Sequence, residues 1–248
     1  GVHPQIALYE KDANGNYVVD RFTVGPPGKT RTDQVFSISA GTANVQGYKR
    51  IREASIRHAE TEEPDLESIA AEPHTFTGPT GGQTTITVSR APIAAVSAVI
   101  VVKRTTEVVV RGSTPGGMDD LGISSVVGVE SIVQGATTYV EGTDYTLVGD
   151  AISWAPGGAE PAASSSYTVT YRYNSGVTPD EVTPTEIKVS GGVTGTTVLV
   201  SYTSKVPRID IIGLDISGRP AYVKGVSARV GGLPPIPPSN ILKLAEVH

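Results

Sequence analysis

Seven consecutive residues, Tyr167-Thr168-Val169-Thr170-Tyr171-Arg172-Tyr173, alternate apolar or aromatic with polar side chains. That is the period of a half-buried antiparallel strand and not of a helix. The pattern recurs. The stretches 84–90, 96–103, 107–112, 123–134, 138–141, 146–147, 151–154 and 167–173 are short β-type segments at close spacing, separated by Gly, Pro and Ser, and such spacing predicts a sandwich. The 28 glycines and 18 prolines matter because a chain so often interrupted, and rich in Val, Thr and Ile, turns repeatedly between strands instead of running long helices.

Upstream, 5–10 and 16–24 are alternating runs joined by Asp12-Ala13-Asn14-Gly15, and Asn-Gly accepts the positive φ of a tight hairpin turn. Gly25-Pro26-Pro27-Gly28 then ends the ladder, since proline has no N–H to donate. The runs 35–39 and 43–50 read as two strands around Ala40-Gly41-Thr42, with Val35, Ile38, Val45 and Tyr48 facing inward. The segment 51–72 is the most charged of the chain; in it Asp65-Leu66-Glu67-Ser68-Ile69-Ala70-Ala71 offers a short capped helix, closely bracketed by Pro64 and Pro73. Downstream, 174–184 reads as a linker, 186–189 and 196–202 as a hairpin around Gly191-Gly192, and 207–215 with 221–226 as strands around Ser217-Gly218-Arg219. Leu233-Pro234-Pro235-Ile236-Pro237-Pro238 predicts a polyproline-II spacer of roughly 3 Å per residue. Ala43-Asn44-Val45-Gln46-Gly47 and Ala221-Tyr222-Val223-Lys224-Gly225 share an Ala-x-Val-x-Gly frame. The echo suggests a discontinuous β domain of 1–75 with 176–232, a sandwich inserted at 76–175, and a Pro-rich extended arm at 233–248.

Several function classes lack their residues. The net charge is −5 and the basic residues are scattered along the chain, singly or in pairs and not in a large cluster, so the footprint that neutralises phosphates is missing and no nucleic-acid partner is expected. Without cysteine there is no disulfide and no thiolate metal site. The apolar stretch 94–102 is broken by Ser97 and stopped by Lys103-Arg104, well short of the roughly 20 residues of a spanning helix. Gly1-Val2-His3-Pro4 has neither the charged lead nor the apolar core of a secretory signal, and reads as an internal start. Asp12, Asn14 and Asn16 alternate as calcium ligands do, but the glycine falls at Gly15 and Thr23 stands where a closing glutamate belongs. His3, His58, His74 and His248 show no metal spacing, and the glycine loops 78–82 and 112–117 lack the lysine of a phosphate cradle. There is no Gly-x-Ser-x-Gly elbow. Expected, then, are no enzyme, no cofactor and no metal. The competing reading is a receptor- or glycan-binding module, and ranked behind it is a glycan hydrolase drawing a carboxylate pair from Glu130, Glu141, Asp144, Asp150 and Glu160.

Three stretches in order resemble a family of tailed-bacteriophage and prophage tail proteins. They are Asp20-Arg21-Phe22-Thr23-Val24 with 36–48; Tyr139-Val140-Glu141-Gly142-Thr143-Asp144-Tyr145-Thr146-Leu147 with Asp150-Ala151-Ile152-Ser153-Trp154 and 157–161; and Pro207-Arg208-Ile209-Asp210 with the downstream Gly-Gly-Leu-Pro-Pro-Ile-Pro-Pro and 242–247. The stretch around Tyr139–Trp154 is similar to the Ig-like insertion of such proteins. The resemblance therefore implies an all-β fold of multi-domain antiparallel β-sandwiches, with one Ig-like domain inserted in a second β domain. It also implies a structural role in the tail-fibre or baseplate region of the virion, assembled in the host cytoplasm. Its partners would be sister subunits, as a homo-oligomer with a trimer among the options, and other tail proteins. Family members generally carry a further N-terminal segment, so the chain reads as a fragment.

Five residues are candidates for interaction or core anchoring. Trp154, with Tyr139 and Tyr145 near it in sequence, is either an aromatic platform for a host surface glycan or the core anchor of the sandwich. Asp210, flanked by Ile209 and Ile211, pairs with Arg208 at a subunit contact or faces outward on an alternating strand.

Overall fold

The protein is described by a computed structural model that covers residues 9–11, 17–19, 33–61 and 64–247. Its regular elements are all β. They fall into two compact units, Gly1–Glu67 with Lys205–His248, and Ser68–Ser204. The strands 186–190 and 197–204 thus lie in the second unit, and the boundaries are not those expected at 75 and 176.

In the first unit, β1 (Tyr9–Lys11) pairs antiparallel with β2 (Tyr17–Val19); the Asp12–Gly15 turn and the Gly25–Gly28 break lie outside the described residues. β3 (Asp33–Ile38) does not pair with the strand that follows it. Between it and β6 (Ile56–Thr61), its antiparallel partner, sits a separate hairpin of β4 (Gly41–Val45) and β5 (Tyr48–Arg52). The expected single strand over 43–50 is split because Gln46 and Gly47 both take positive φ, 50° and 83°, the requirement of a type I′ hairpin turn. The fold-back buries Val45 but leaves Tyr48 55 % exposed, correcting its inward assignment.

The second unit is a long sheet faced by two short ones. In chain order its strands are β7 (Leu66–Thr75), β8 (Gln83–Thr87), β9 (Ile93–Val110), β10 (Met118–Asp120), β11 (Val126–Gln134), β12 (Thr137–Tyr139), β13 (Thr146–Val148), β14 (Ala151–Ser153), β15 (Ser166–Gly176), β16 (Glu181–Val182), β17 (Glu186–Ser190) and β18 (Thr197–Lys205). The long sheet has the order β12-β11-β15-β9-β18-β7, and the short ones are β16-β17-β8 and β10-β14-β13. One core joins Val99, Val101, Val198, Val200 and Tyr202 of the long sheet to Ile86, Ile187 and Val189 of the first short sheet, with Phe76. The other joins Val109, Ile132, Tyr167, Val169 and Tyr171 to Ile152 and Trp154. Each such side chain contributes about 1.5–3 kcal/mol when fully buried. β9 is one strand where two, 96–103 and 107–112, were expected, and it supplies both cores. The runs 186–189 and 196–202 are not a hairpin: β17 pairs with β8 and β16, whereas β18 pairs with β9.

The expected helix at 65–71 is part of β7, a strand at the edge of the long sheet. Pro73 is tolerated there, since an edge strand leaves N–H positions without a ladder partner. The alternation of exposure slips at Ala70 and Ala71; Ala71 has φ 50° and its N–H is held by Ser201 Oγ at 3.0 Å.

The chain closes in the first unit with β19 (Asp210–Asp215), which lies between β20 (Pro220–Val223) and β21 (Ile241–Val247), antiparallel to both. The last part of the expected arm is therefore a paired strand, while 233–238 carries no ladder and leaves Leu233 and Ile236 exposed. The two Ala-x-Val-x-Gly frames belong to different sheets: Gly47 makes a hairpin turn, whereas the Gly225 N–H reaches the Asp210 carboxylate.

Candidate functional site

The connection between β9 and β10 returns on itself within seven residues, and a buried carboxylate holds it closed. Asp119 Oδ1 accepts from the Gly112 N–H at 2.9 Å and lies 3.3 Å from Arg111 Nη1, while its Oδ2 accepts from Trp154 Nε1 at 2.9 Å and the Tyr167 hydroxyl at 2.8 Å. Arg111, itself 2 % exposed, donates through Nη2 to Thr114 O at 2.6 Å and to Glu160 Oε2 at 2.8 Å. Glu160 also accepts the Gly116 N–H at 3.1 Å. A charge this deep stands only when paired and hydrogen-bonded. Burial works to lower the Arg111 pKa, but the Glu160 hydrogen bond and the charge of Asp119 outweigh it and hold it above its ordinary value. The same bond from Arg111, with the Gly116 N–H, holds Glu160 below its own.

Trp154 is 1 % exposed, with the rings of Tyr139 and Tyr167 edge-on at centroid distances of 5.2 and 5.4 Å. Tyr145 lies at 6.0 Å, and burial with the nearby Glu141 and Asp144 charges pushes its hydroxyl up to about 12. These three named aromatics form one cluster with no ring face open to a sugar. Arg111, Asp119 and Tyr167 complete it and escaped sequence reading. Arg111 precedes a turn glycine and Asp119 belongs to an Asp119-Asp120 pair two residues after Gly117, positions where charged residues are ordinarily solvated, and alternation over 167–173 marks Tyr167 only as a strand residue.

In the first unit the start of β19 repeats the device. Asp210, 5 % exposed, accepts from Arg208 Nε at 2.7 Å, from the Gly225 N–H at 2.7 Å and from the Tyr222 hydroxyl; Arg208 Nη1 also approaches Asp65 at 3.5 Å. Burial works to raise the Asp210 pKa, but hydrogen bonds from Arg208, Tyr222 and Gly225 keep it below its ordinary 3.8. Arg208 and Asp210 are thus paired inside the unit. A groove of about 850 Å³ in the same unit is lined by Phe36, Ile38, Ile51, Ile212, Leu214 and Leu244; Arg50 beside it donates to Ile216 O at 2.6 Å and Arg52 to Gly218 O.

Four of the five acidic candidates, Glu130, Asp144, Asp150 and Glu160, are each held by separate donors. Glu130 pairs with Arg104 and Arg172, and Asp150 accepts the Val126 N–H at 2.8 Å. Asp144 accepts from Val140 and Ala159; it shares a corner with Glu160, but each is turned to its own donors. His58 and His74 lie beside Glu60 and Glu72, half-buried and not free on the surface. His3, His248 and the Asp12, Asn14, Asn16 set lie outside the described residues. Among the described residues no group of three His, Cys, Asp or Glu is placed to hold a metal, and no helix is long and apolar enough to cross a membrane.

Fold and site together define an all-β protein whose buried charges brace strand connections from within. The chain belongs to the family described as a domain of unknown function, DUF4815, whose profile matches residues 1–248. No curated protein and no solved structure matches it.

Proposed function

We propose that the chain is a structural component of a bacteriophage or phage-like tail, in the tail-fibre or baseplate region, where its β units hold shape and dock sister subunits and other tail proteins. The observation that carries this reading is the use of charge. Asp119 and Asp210, the two buried carboxylates among the described residues, are surrounded by donors from their own chain and brace connections that would otherwise flex. Such an investment suits a part that transmits shape. The three ordered sequence resemblances, the last of them around Asp210, point the same way. A glycan-binding role loses its aromatic platform, because Trp154 lies under Tyr139 and Tyr167.

Antibody raised against the chain and applied to intact particles from the cells that encode it is expected to decorate the distal tail in negative-stain electron microscopy. Light scattering of the full-length protein is expected to give an oligomer. Undecorated tails together with a monomeric mass would overturn the proposal.

A further inference from the structure

β9 gives its two edges to different neighbours, and one edge runs out of partners. The Val177 N–H bonds to Val99 O and the Arg111 N–H to Ser165 O, so in the β9–β15 ladder, which pairs Ile100 with Gly176 through Val110 with Ser166, the odd-numbered residues of β9 face β15. The even-numbered ones face the other way, toward β18, and β18 pairs only as far as Ile100, with Val102 O still taken by the Val193 N–H. Beyond that, among the described residues, no hydrogen bond reaches the backbone of Arg104, Thr106, Val108 or Val110.

The same parity holds on β10. Gly117 O accepts the Trp154 N–H and the Leu121 N–H donates to Asp150 O, so the backbone groups of Met118 and Asp120 point away from β14. Between the two unpaired edges runs a groove of about 450 Å³, lined by Glu107, Val108, Val110, Met118, Asp120 and Gly122. Val108 is 68 % and Val110 61 % exposed, with Met118 beside them at 54 %. Apolar edges are ordinarily blunted by charge, proline or a covering loop; here the one charge among Arg104, Thr106, Val108 and Val110 sits at the far end, on Arg104, and the apolar end at Val108 and Val110 is left as a template for an added strand.

Charge selects the occupant. The groove presents Glu107, Asp119 and Asp120 and no Lys or Arg, and Arg104, at the far end of the edge, is engaged by Glu130 at 2.7 Å. Asp119 is spent on its own donors and Glu107 accepts the Gly122 N–H at 2.9 Å, but the exposed Asp120 carboxylate accepts no hydrogen bond among the described residues. A second copy pairing β9 to β9 would bring two such acidic rims together, which opposes it. We infer that the β9 edge at 106–110 is a docking site for one extended segment of another protein, alternating β-branched residues with Lys or Arg. This stands whatever larger assembly the chain serves.

The test uses the full chain and a fluorescein-labelled heptapeptide alternating valine and lysine. Saturable binding by anisotropy is expected, with the amides of Thr106, Val108 and Val110 gaining protection from hydrogen exchange. A peptide with glutamate for lysine should bind about 10-fold more weakly or not at all, as should the lysine peptide to Asp120→Lys. Val108→Pro deletes a donor that points out of the sheet, a position where edge strands accept proline, and should cut affinity by about 10-fold with circular dichroism unchanged; if that variant misfolds, Asp120→Lys and the exchange data decide. Unchanged binding in Asp120→Lys, protection elsewhere, or no saturation at millimolar peptide overturns the inference. So does a chain that self-associates through this edge and becomes monomeric in Val108→Pro.

Discussion

Removing the Asp119 carboxylate leaves the Gly112 N–H, Trp154 Nε1 and the Tyr167 hydroxyl without this acceptor, and leaves Arg111 with Glu160 and Thr114 O alone. A buried donor left unsatisfied typically costs about 1–3 kcal/mol, and with the loss of one of the two carboxylates facing Arg111 the total is about 3–5 kcal/mol. Asp119→Ala is expected to lose stability on that scale in urea denaturation, and Asp119→Asn less, since the amide keeps one acceptor oxygen. A loss no larger than that of an exposed carboxylate would show that the network is not what closes the β9–β10 connection. Asp210 adds a pH dependence. Its folded pKa is held below the ordinary 3.8, so its contribution is fully present above the unfolded value and is lost as pH falls through the folded one. Stability of the first unit should therefore be insensitive to this group from pH 7 to 5 and decline below about pH 4. Asp210→Asn should be weaker at neutral pH and show a shallower acid limb; an acid limb of unchanged slope would assign the decline to other carboxylates.

At the scale of elements, alternation and turn glycines made most strands legible, and what failed did so for physical reasons. Tyr167–Tyr173 falls within β15, buried on alternate residues as read. Asp65–Ala71 misleads because its acidic and small residues suit a helix start, whereas hydrogen bonding to β18 at a sheet edge decides it. The pairings of β3 with β6 and of β17 with β8 skip over neighbouring strands, and alternation says which residues face in but not which strand lies alongside. Of the candidate site, Trp154, Tyr139 and Tyr145 were readable as a group; Asp119 was not, because its donors come from positions 7, 35 and 48 residues away. One element depends on a glycine that looks incidental in the sequence. A Cβ on Gly213 would lie 2.5 Å from Leu242 O and from Ile241 Cγ2, at the irregularity in the β19–β21 ladder. Gly213→Ala is expected to destabilise by about 1–3 kcal/mol and to speed hydrogen exchange across β21 ahead of the rest; uniform exchange would mean that the ladder absorbs the methyl.

For the whole molecule, the division into units follows from where the apolar side chains are spent. Both cores of the second unit draw on residues between Ile69 and Tyr202, and β9 runs through the two of them, so neither core can be opened without disturbing the strand that the other needs. A chain of 137 residues, Ser68–Ser204, is also long enough to bury most of what its unfolded form exposes. An excised fragment 64–206, which keeps the Val206 N–H bond to Asp65 O at 2.8 Å, is expected to fold alone and to unfold in one cooperative transition. The blue-shifted fluorescence of buried Trp154, the single tryptophan of the chain, and the far-ultraviolet β signal should vanish together. Because Trp154 reports one core and the β signal both, a tryptophan transition that precedes the loss of β structure would show that β9 does not couple them.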